Sequence, residues 1–300
     1  MSVVLFDLPP IQGDYDEEDV RVMNVGRRQL RTEWPSALYP PDDPDKNWRV
    51  VLPFPNTYRN AFLSMCDVDA YAHEARNGRL CLFLNGTEGD EKAPQEVLDW
   101  LDLVGGPVAM KDHLALSFAL DYEREGGSPD LPQTKIGTLR ARAKPYGAMT
   151  ATKETKIAAG ELGKYCVEFL KEMTCYESAS CVVAMPPSDP AKKYSLPRYL
   201  AEHIAAAWGR EDLTMSVRTV NARNSIKAVA LAEKFDTLAG TIEVDDKVFA
   251  GKHVLLVDDL YQSGISMNYC GLLLLRAGAR KIFGLACEKT CRNDDNVGRG

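Results

Sequence analysis

Two adjacent carboxylates, Asp258 and Asp259, end an apolar run at 253–257 (HVLLV), and Gln262, Ser263, Gly264, Ile265 and Ser266 follow within a few residues. Two hydroxyls, a glycine and a run of backbone amides ahead of a helix N-terminus suit a phosphate dianion, through oriented N–H groups and the helix dipole. The carboxylates cannot touch that same phosphate without repulsion. They suit hydroxyls, a divalent cation or a developing positive charge. A phosphorylated sugar meets both demands. Taken alone, an Asp-Asp pair serves equally as a turn and helix entry; the apolar strand before it and Ser-Gly-Ile-Ser after it give the pair its chemical sense. The pattern is neither Gly-x-x-x-x-Gly-Lys-Ser/Thr nor Gly-x-Gly-x-x-Gly.

The elements that must position these residues follow from periodicity. Residues 253–257 predict a buried strand, and Ser266 can cap a helix running to Ala277, with Gly278 placed for a left-handed stop. Residues 281–286 predict the next strand, so the unit is β-loop-α-β, with its ligand side at the carboxyl edge of the sheet. Upstream, apolar spacing predicts a helix over 152–173, and the β-branched run at 179–185 predicts a buried strand stopped by Pro186 and Pro187. Ser195 can cap a helix to Trp208 with Pro197 in its first turn, and 215–220 predicts a strand. In the first half, 49–54 and 80–84 read as buried strands, 94–103 as a short helix and 113–122 as a strand. This half is mixed α/β and declares no chemistry of its own.

The segment HVLLVDDLYQSGIS resembles the 5-phosphoribosyl-1-diphosphate motif of type I phosphoribosyltransferases, and the surrounding order is most similar to the ComF-type, amidophosphoribosyltransferase-like branch. Met185-Pro186-Pro187-Ser188 looks like that family's turn after a strand, a basic stretch follows at 218–227, and the resemblance spans 144–289, about half the chain. Gln262 and Tyr261 stand where the family usually carries smaller residues. The resemblance implies a type I phosphoribosyltransferase-like α/β fold, with a mainly parallel central sheet flanked by helices and an additional N-terminal mixed α/β region. The expected division is 1–140 as an accessory region and 141–300 as the phosphoribosyltransferase-like domain. By the same resemblance, Asp258 and Asp259 hold the ribose hydroxyls, directly or through Mg2+, and are both the catalytic and the metal-binding pair. Gln262, Ser263, Gly264, Ile265 and Ser266 bind the 5′-phosphate, and Pro187 and Ser188 receive pyrophosphate. Lys192, Lys193, Arg218 and Arg223 are candidates to neutralise it, although each alone reads first as a solvated surface charge. The implied activity is transfer of phosphoribose to a nitrogen nucleophile with release of pyrophosphate. The alternative is a non-catalytic sensor of a nucleotide or of phosphoribosyl diphosphate, acting through protein partners in DNA processing, competence or defence.

Composition bounds these expectations. The chain has 300 residues with 36 basic and 43 acidic side chains, a net charge of −7. That balance does not indicate a nucleic-acid backbone binder, and no run reaches the roughly 18 apolar residues of a membrane span. The N-terminal residues lack the pattern of a secretory leader, so the expected location is cytoplasmic, and a homodimer is open. The 8 cysteines are scattered without a Cys-x-x-Cys and read as small buried hydrophobes.

Overall fold

The computed structural model describes residues 12–23, 38–42, 45–144, 150–222 and 229–291. In chain order the elements are α1 (Glu17–Arg21), β1 (Leu38–Tyr39), β2 (Arg49–Leu52), α2 (Asn56–Met65), β3 (Ala70–Glu74), β4 (Leu80–Leu84), α3 (Gln95–Gly105), β5 (Val108–Ala109), β6 (Leu116–Tyr122) and α4 (Lys135–Ala143). They continue with α5 (Lys153–Glu172), β7 (Cys181–Ala184), α6 (Leu196–Trp208), β8 (Glu211–Asp212), β9 (Val217–Thr219), α7 (Lys234–Leu238), β10 (Ile242–Val244), β11 (His253–Tyr261), α8 (Ile265–Arg276) and β12 (Lys281–Lys289).

The central sheet has six strands in the order β5-β6-β12-β11-β7-β8, parallel throughout except for β5 at one edge. Its strands are apolar on both faces because both faces are covered. On β11, Leu255 and Val257 pack with α4, α5 and α6, whereas Val254 and Leu256 pack with α7 and α8. Such a strand has no polar face to spare, which is why HVLLV is unbroken. The mainly parallel α/β architecture flanked by helices is thus the one expected.

Residues 108–122 lie upstream of the expected division at 140, yet β5 and β6 belong to this sheet, and β6 pairs with β12 along its length. The sheet therefore draws on chain from both sides of residue 140. The physical reason is that β12 is buried on both edges and faces, and β6 supplies the hydrogen bonds its outer edge requires.

A second, antiparallel sheet of four strands, in the order β1-β2-β4-β3, buries one face against α2 and α3. Val50, Leu52, Ala70, Ala72, Leu80, Leu82 and Leu84 point into that core with Tyr58, Phe62 and Trp100, while Arg49, Val51, Tyr71, Cys81 and Phe83 alternate onto the other face. The expectation of buried strands at 49–54 and 80–84 holds for one face only, and the first strand ends at Leu52. LCLFL reads as a continuous apolar run only because Cys81 and Phe83, on the open face, are themselves apolar. Residues 94–103 form a helix as expected, continuing to Gly105.

The helix expected over 152–173 is present as α5, capped by the Thr152 hydroxyl accepting from the Thr155 N–H at 3.2 Å. Ser195 precedes α6 but makes no capping bond with its side chain. The stretch 215–220 is only partly strand: a turn of 3-10 helix at Thr214–Ser216 leads into β9, which pairs with β10. No helix among the described residues is long and apolar enough to cross a membrane. The cysteines in the described residues are free thiols, and Cys166 and Cys287 meet in the core with sulfurs 3.9 Å apart.

Candidate functional site

The connections out of β7 and β11 diverge. Strand β7 leads through α6, on one face of the sheet, outward to β8, and β11 leads through α8, on the other face, in the opposite direction to β12. Between β7 and β11 the strand order reverses, and the crevice at the carboxyl ends of such a pair is where open α/β sheets take their ligands. Met185 and Asp258 begin those two ends: the Met185 N–H donates to the Val257 carbonyl at 2.8 Å. Pro187 and Ser188 follow directly, with the Pro187 carbonyl accepting from the Thr219 hydroxyl at 2.5 Å. The structure thus brings Pro187, Ser188, Asp258, Asp259 and 262–266 to one sheet edge. Lys192 and Lys193 lie exposed beyond Ser188, and Arg218 is exposed on β9, paired with Glu243 at 2.9 Å. Arg223 lies outside the described residues.

The loop is shorter than the sequence suggests. Strand β11 continues through Leu260 and Tyr261, and α8 starts at Ile265, so only Gln262, Ser263 and Gly264 connect them. Gly264, in the left-handed conformation at φ +77°, occupies the N-cap position, and Ser266 lies inside the first turn; its expected capping role is corrected. The Ile265 side chain is buried in the core, so it can offer a ligand only its N–H, while Ser266 and Gln262 are partly exposed and Ser263 is buried. The first-turn N–H groups of α8, a helix of 12 residues, point out of the sheet edge without intrahelical acceptors.

The two aspartates differ sharply. Asp259 is buried and accepts from the Lys144 ammonium at 2.6 Å and from Arg140 Nη1 at 3.2 Å. Arg140 Nε in turn lies 2.5 Å from Glu288 Oε1, whose side chain is completely buried at the end of β12. The result is a chain of alternating charge, Lys144, Asp259, Arg140 and Glu288, linking the end of α4 to β11 and β12. Burial raises the Glu288 carboxyl to about 7 despite the guanidinium beside it. Among the described residues, no cation contacts Asp258. Its carboxylate accepts the Asp259 N–H at 2.8 Å, and burial, followed by the Asp259 charge, raises it to about 7.

Both shifts favour the protonated carboxyl in the folded chain. Their stabilising effect is complete below the ordinary carboxylate range near pH 4 and is lost as pH rises through about 7. Stability should therefore fall between these limits, and Asp258→Asn should flatten the fall, as measured by urea unfolding at pH 5 and pH 8. An unchanged pH slope in the variant would refute this assignment.

Behind the loop lies a polar network that the motif does not foretell. The Tyr261 hydroxyl donates to Asp112 Oδ2 at 3.0 Å, and the same carboxylate accepts from the Ser117 hydroxyl at 2.7 Å and the Leu114 N–H at 3.1 Å. Burial raises the Asp112 carboxyl, partly offset by these donors. Asn268 holds the loop from below: its amide donates to the Gly264 carbonyl and its carbonyl accepts the His113 N–H, both at 2.9 Å. Tyr261→Phe removes one donor from a buried carboxylate and is expected to cost about 1–3 kcal/mol. A change below half a kilocalorie in chemical unfolding would show that Asp112 does not depend on the phenol.

Arg140, Glu288 and Asp112 are site-forming residues that the motif does not contain, and the motif gives no hint of the partners that Lys144 and Tyr261 make. One feature of the sequence marks this set: Glu288 is the lone acid in an otherwise buried strand, whereas Lys144 lies just past the end of α4 in extended backbone.

No protein-family model matches this sequence, and no curated protein does. Among solved structures, the chain is similar to the glutamine phosphoribosylpyrophosphate amidotransferase from B. subtilis complexed with ADP and GMP. The identity is 14% and the TM-score 0.33, over 81% of this chain and 46% of that one. It is also similar to a structure described as the allosteric regulatory enzyme of purine biosynthesis, at 15% identity and a TM-score of 0.28, over 81% of this chain and 45% of that one. The chain thus spans about half the length of each. Likeness at this level assigns no residue a role.

Proposed function

We propose that the carboxyl edge between β7 and β11 binds 5-phosphoribosyl-1-diphosphate with Mg2+, and that the protein transfers phosphoribose to a nitrogen nucleophile with release of pyrophosphate. The supporting observation is the reversal of strand order at these two strands. It puts a carboxylate, Asp258, and a helix N-terminus in the same crevice as the Pro187-Ser188 turn. The first-turn amides of α8 and the Ser266 hydroxyl hold the 5′-phosphate, and Asp258 holds the ribose hydroxyls. Pro187 and Ser188 face the diphosphate.

A magnesium ion fits this donor set through one hard oxygen ligand, Asp258, with the remaining ligands coming from the substrate, which is how the ion is commonly bound at phosphates. Bound there, it supplies neutralising charge at the leaving diphosphate. The chain's own contribution is electrostatic. Asp258 lies where positive charge develops on the ring, and Lys144 and Arg140 keep Asp259 fixed beneath it. Asp259 is thus an internal ion-pair partner more than a free ligand, which narrows the expectation that both aspartates share the sugar.

The engagement of Asp259 by two cations also favours the second reading, a sensor that binds the same ligand and performs no transfer, because a single carboxylate stabilises the cationic ring less than a pair. Calorimetric titration of phosphoribosyl diphosphate with Mg2+, together with pyrophosphate release in the presence of ammonia, glutamine or nucleobases, separates the two. Binding with turnover supports the transferase, and binding without turnover for any acceptor supports the sensor. Asp258→Asn should weaken binding at least tenfold; full retention of binding in that variant would refute the site.

A further inference from the structure

The open face of the four-stranded sheet carries a row of side chains that its fold does not require. In register across all four strands stand Tyr39, Arg49, Phe83 and Tyr71, paired Tyr39 to Arg49, Arg49 to Phe83 and Phe83 to Tyr71. The row on either side of it in sequence, with Val50, Leu82 and Ala72, faces the core and is fully buried. Cross-strand aromatic pairs do add to sheet stability. They do not explain a cavity above the row.

A cavity of about 410 Å3 is lined by Arg49, Phe83 and Tyr71 on its floor and by Pro40, Pro41, Asp42, Asp45, Lys46, Asn47 and Asn85 on its walls. That volume lies within the range of small-molecule sites. Phe83 and Tyr71 have ring centroids 6.1 Å apart and planes inclined by 34°, and the Arg49 guanidinium lies 5.4 Å from the Tyr39 ring. The Arg49 side chain is 40% exposed, and a terminal nitrogen of its guanidinium sits 3.8 Å from Asp42.

Flat aromatic surface, a partly exposed arginine and an amide-bearing rim together call for a planar heterocycle with acceptors on one edge. Among the described residues lining the cavity, the acids Asp42 and Asp45 match the cations Lys46 and Arg49 in number, which favours a neutral ligand over a polyphosphate. Arginine pairs in bidentate fashion with the O6 and N7 acceptors of guanine, and bases stack on aromatic side chains. We propose that this face is a second site, separate from the sheet edge of β7 and β11, and that it binds a 6-oxopurine nucleoside, with the base against Phe83 and Tyr71 and its oxo edge on Arg49.

The test is calorimetric titration of the full chain with guanosine and, in parallel, adenosine. Saturable guanosine binding is expected, at least tenfold tighter than adenosine binding. Phe83→Leu and Arg49→Met should each weaken it about tenfold or more, given the usual contribution of a stacked base, while Phe83→Tyr retains it. Circular dichroism checks that the variants fold, and Asp258→Asn should leave guanosine binding unchanged, so the two sites fail or stand separately. Absence of saturable guanosine binding at millimolar concentration, equal affinity for adenosine, or guanosine binding indifferent to both Phe83→Leu and Arg49→Met would each overturn the proposal.

Discussion

Arg140→Met is expected to lower stability by about 3–5 kcal/mol, the usual cost of stripping a partner from buried ions. Arg140 is almost fully buried and serves two carboxylates at once, Asp259 at 3.2 Å and Glu288 at 2.5 Å. Without it, Lys144 remains on Asp259, but Glu288 loses the cation beside it in a completely buried position. The loss should be larger at pH 8 than at pH 5. Glu288, already raised to about 7 in the intact protein, can take up a proton at the lower pH and so escape part of the penalty. Adding Glu288→Gln to Arg140→Met should recover part of the loss, because a neutral amide is less costly to bury alone than a carboxylate. Equilibrium unfolding in urea at both pH values measures all three. A loss below 1 kcal/mol for the single variant would mean that the network is not a determinant of stability.

The second large effect is expected at Gly264. From the sequence alone its role is to leave room for a phosphate. The structure gives a different reason. At φ +77° a side chain is strained, and a Cβ built there would overlap the phenol of Tyr261, which passes directly beneath on its way to Asp112. Gly264→Val therefore meets a left-handed backbone penalty of about 1–2 kcal/mol and an overpacking penalty of about 1–3 kcal/mol. It should displace Tyr261 from Asp112 as well as disturb the loop. Gly264→Ala made in a Tyr261→Ala background should cost only the backbone part. If instead Gly264→Ala were equally harmful with and without the tyrosine ring, the clash would not be its cause. Loss of phosphate binding in Gly264→Val would accordingly report a moved loop, which is why Asp258→Asn is the cleaner probe of ligand binding.

Much of the fold is legible in the sequence because burial on two faces leaves a direct imprint. HVLLV, the run at 179–185 and the strand from 281 must each be apolar at consecutive positions, and helices α5 and α6 must be apolar at every third or fourth. The loop motif is legible for a similar reason: a tight strand-to-helix turn admits few residue types. Less legible are the charged residues that complete the site. Arg140 and Lys144 are 115 or more residues from Asp259 in sequence, and nothing local marks a surface-type residue as one that will be drawn inside. The four-stranded sheet shows the converse limit. Phe83 and Cys81 disguise a half-exposed strand as a buried one, because residues chosen for an open aromatic face have the same composition as residues chosen for a core.

The sequence by itself determined the strand-loop-helix unit, the carboxylate pair at its start, the mixed α/β class and the free state of scattered cysteines, since each follows from short-range periodicity or local stereochemistry. Only the tertiary structure decided that β6, from upstream of residue 140, completes the central sheet, that Asp259 is held by two cations, and that Tyr261 is tied to Asp112. These are pairings between distant segments. Their energies depend on which charges share a dry interior and which strand edge remains unpaired, and neither quantity exists until the chain has folded.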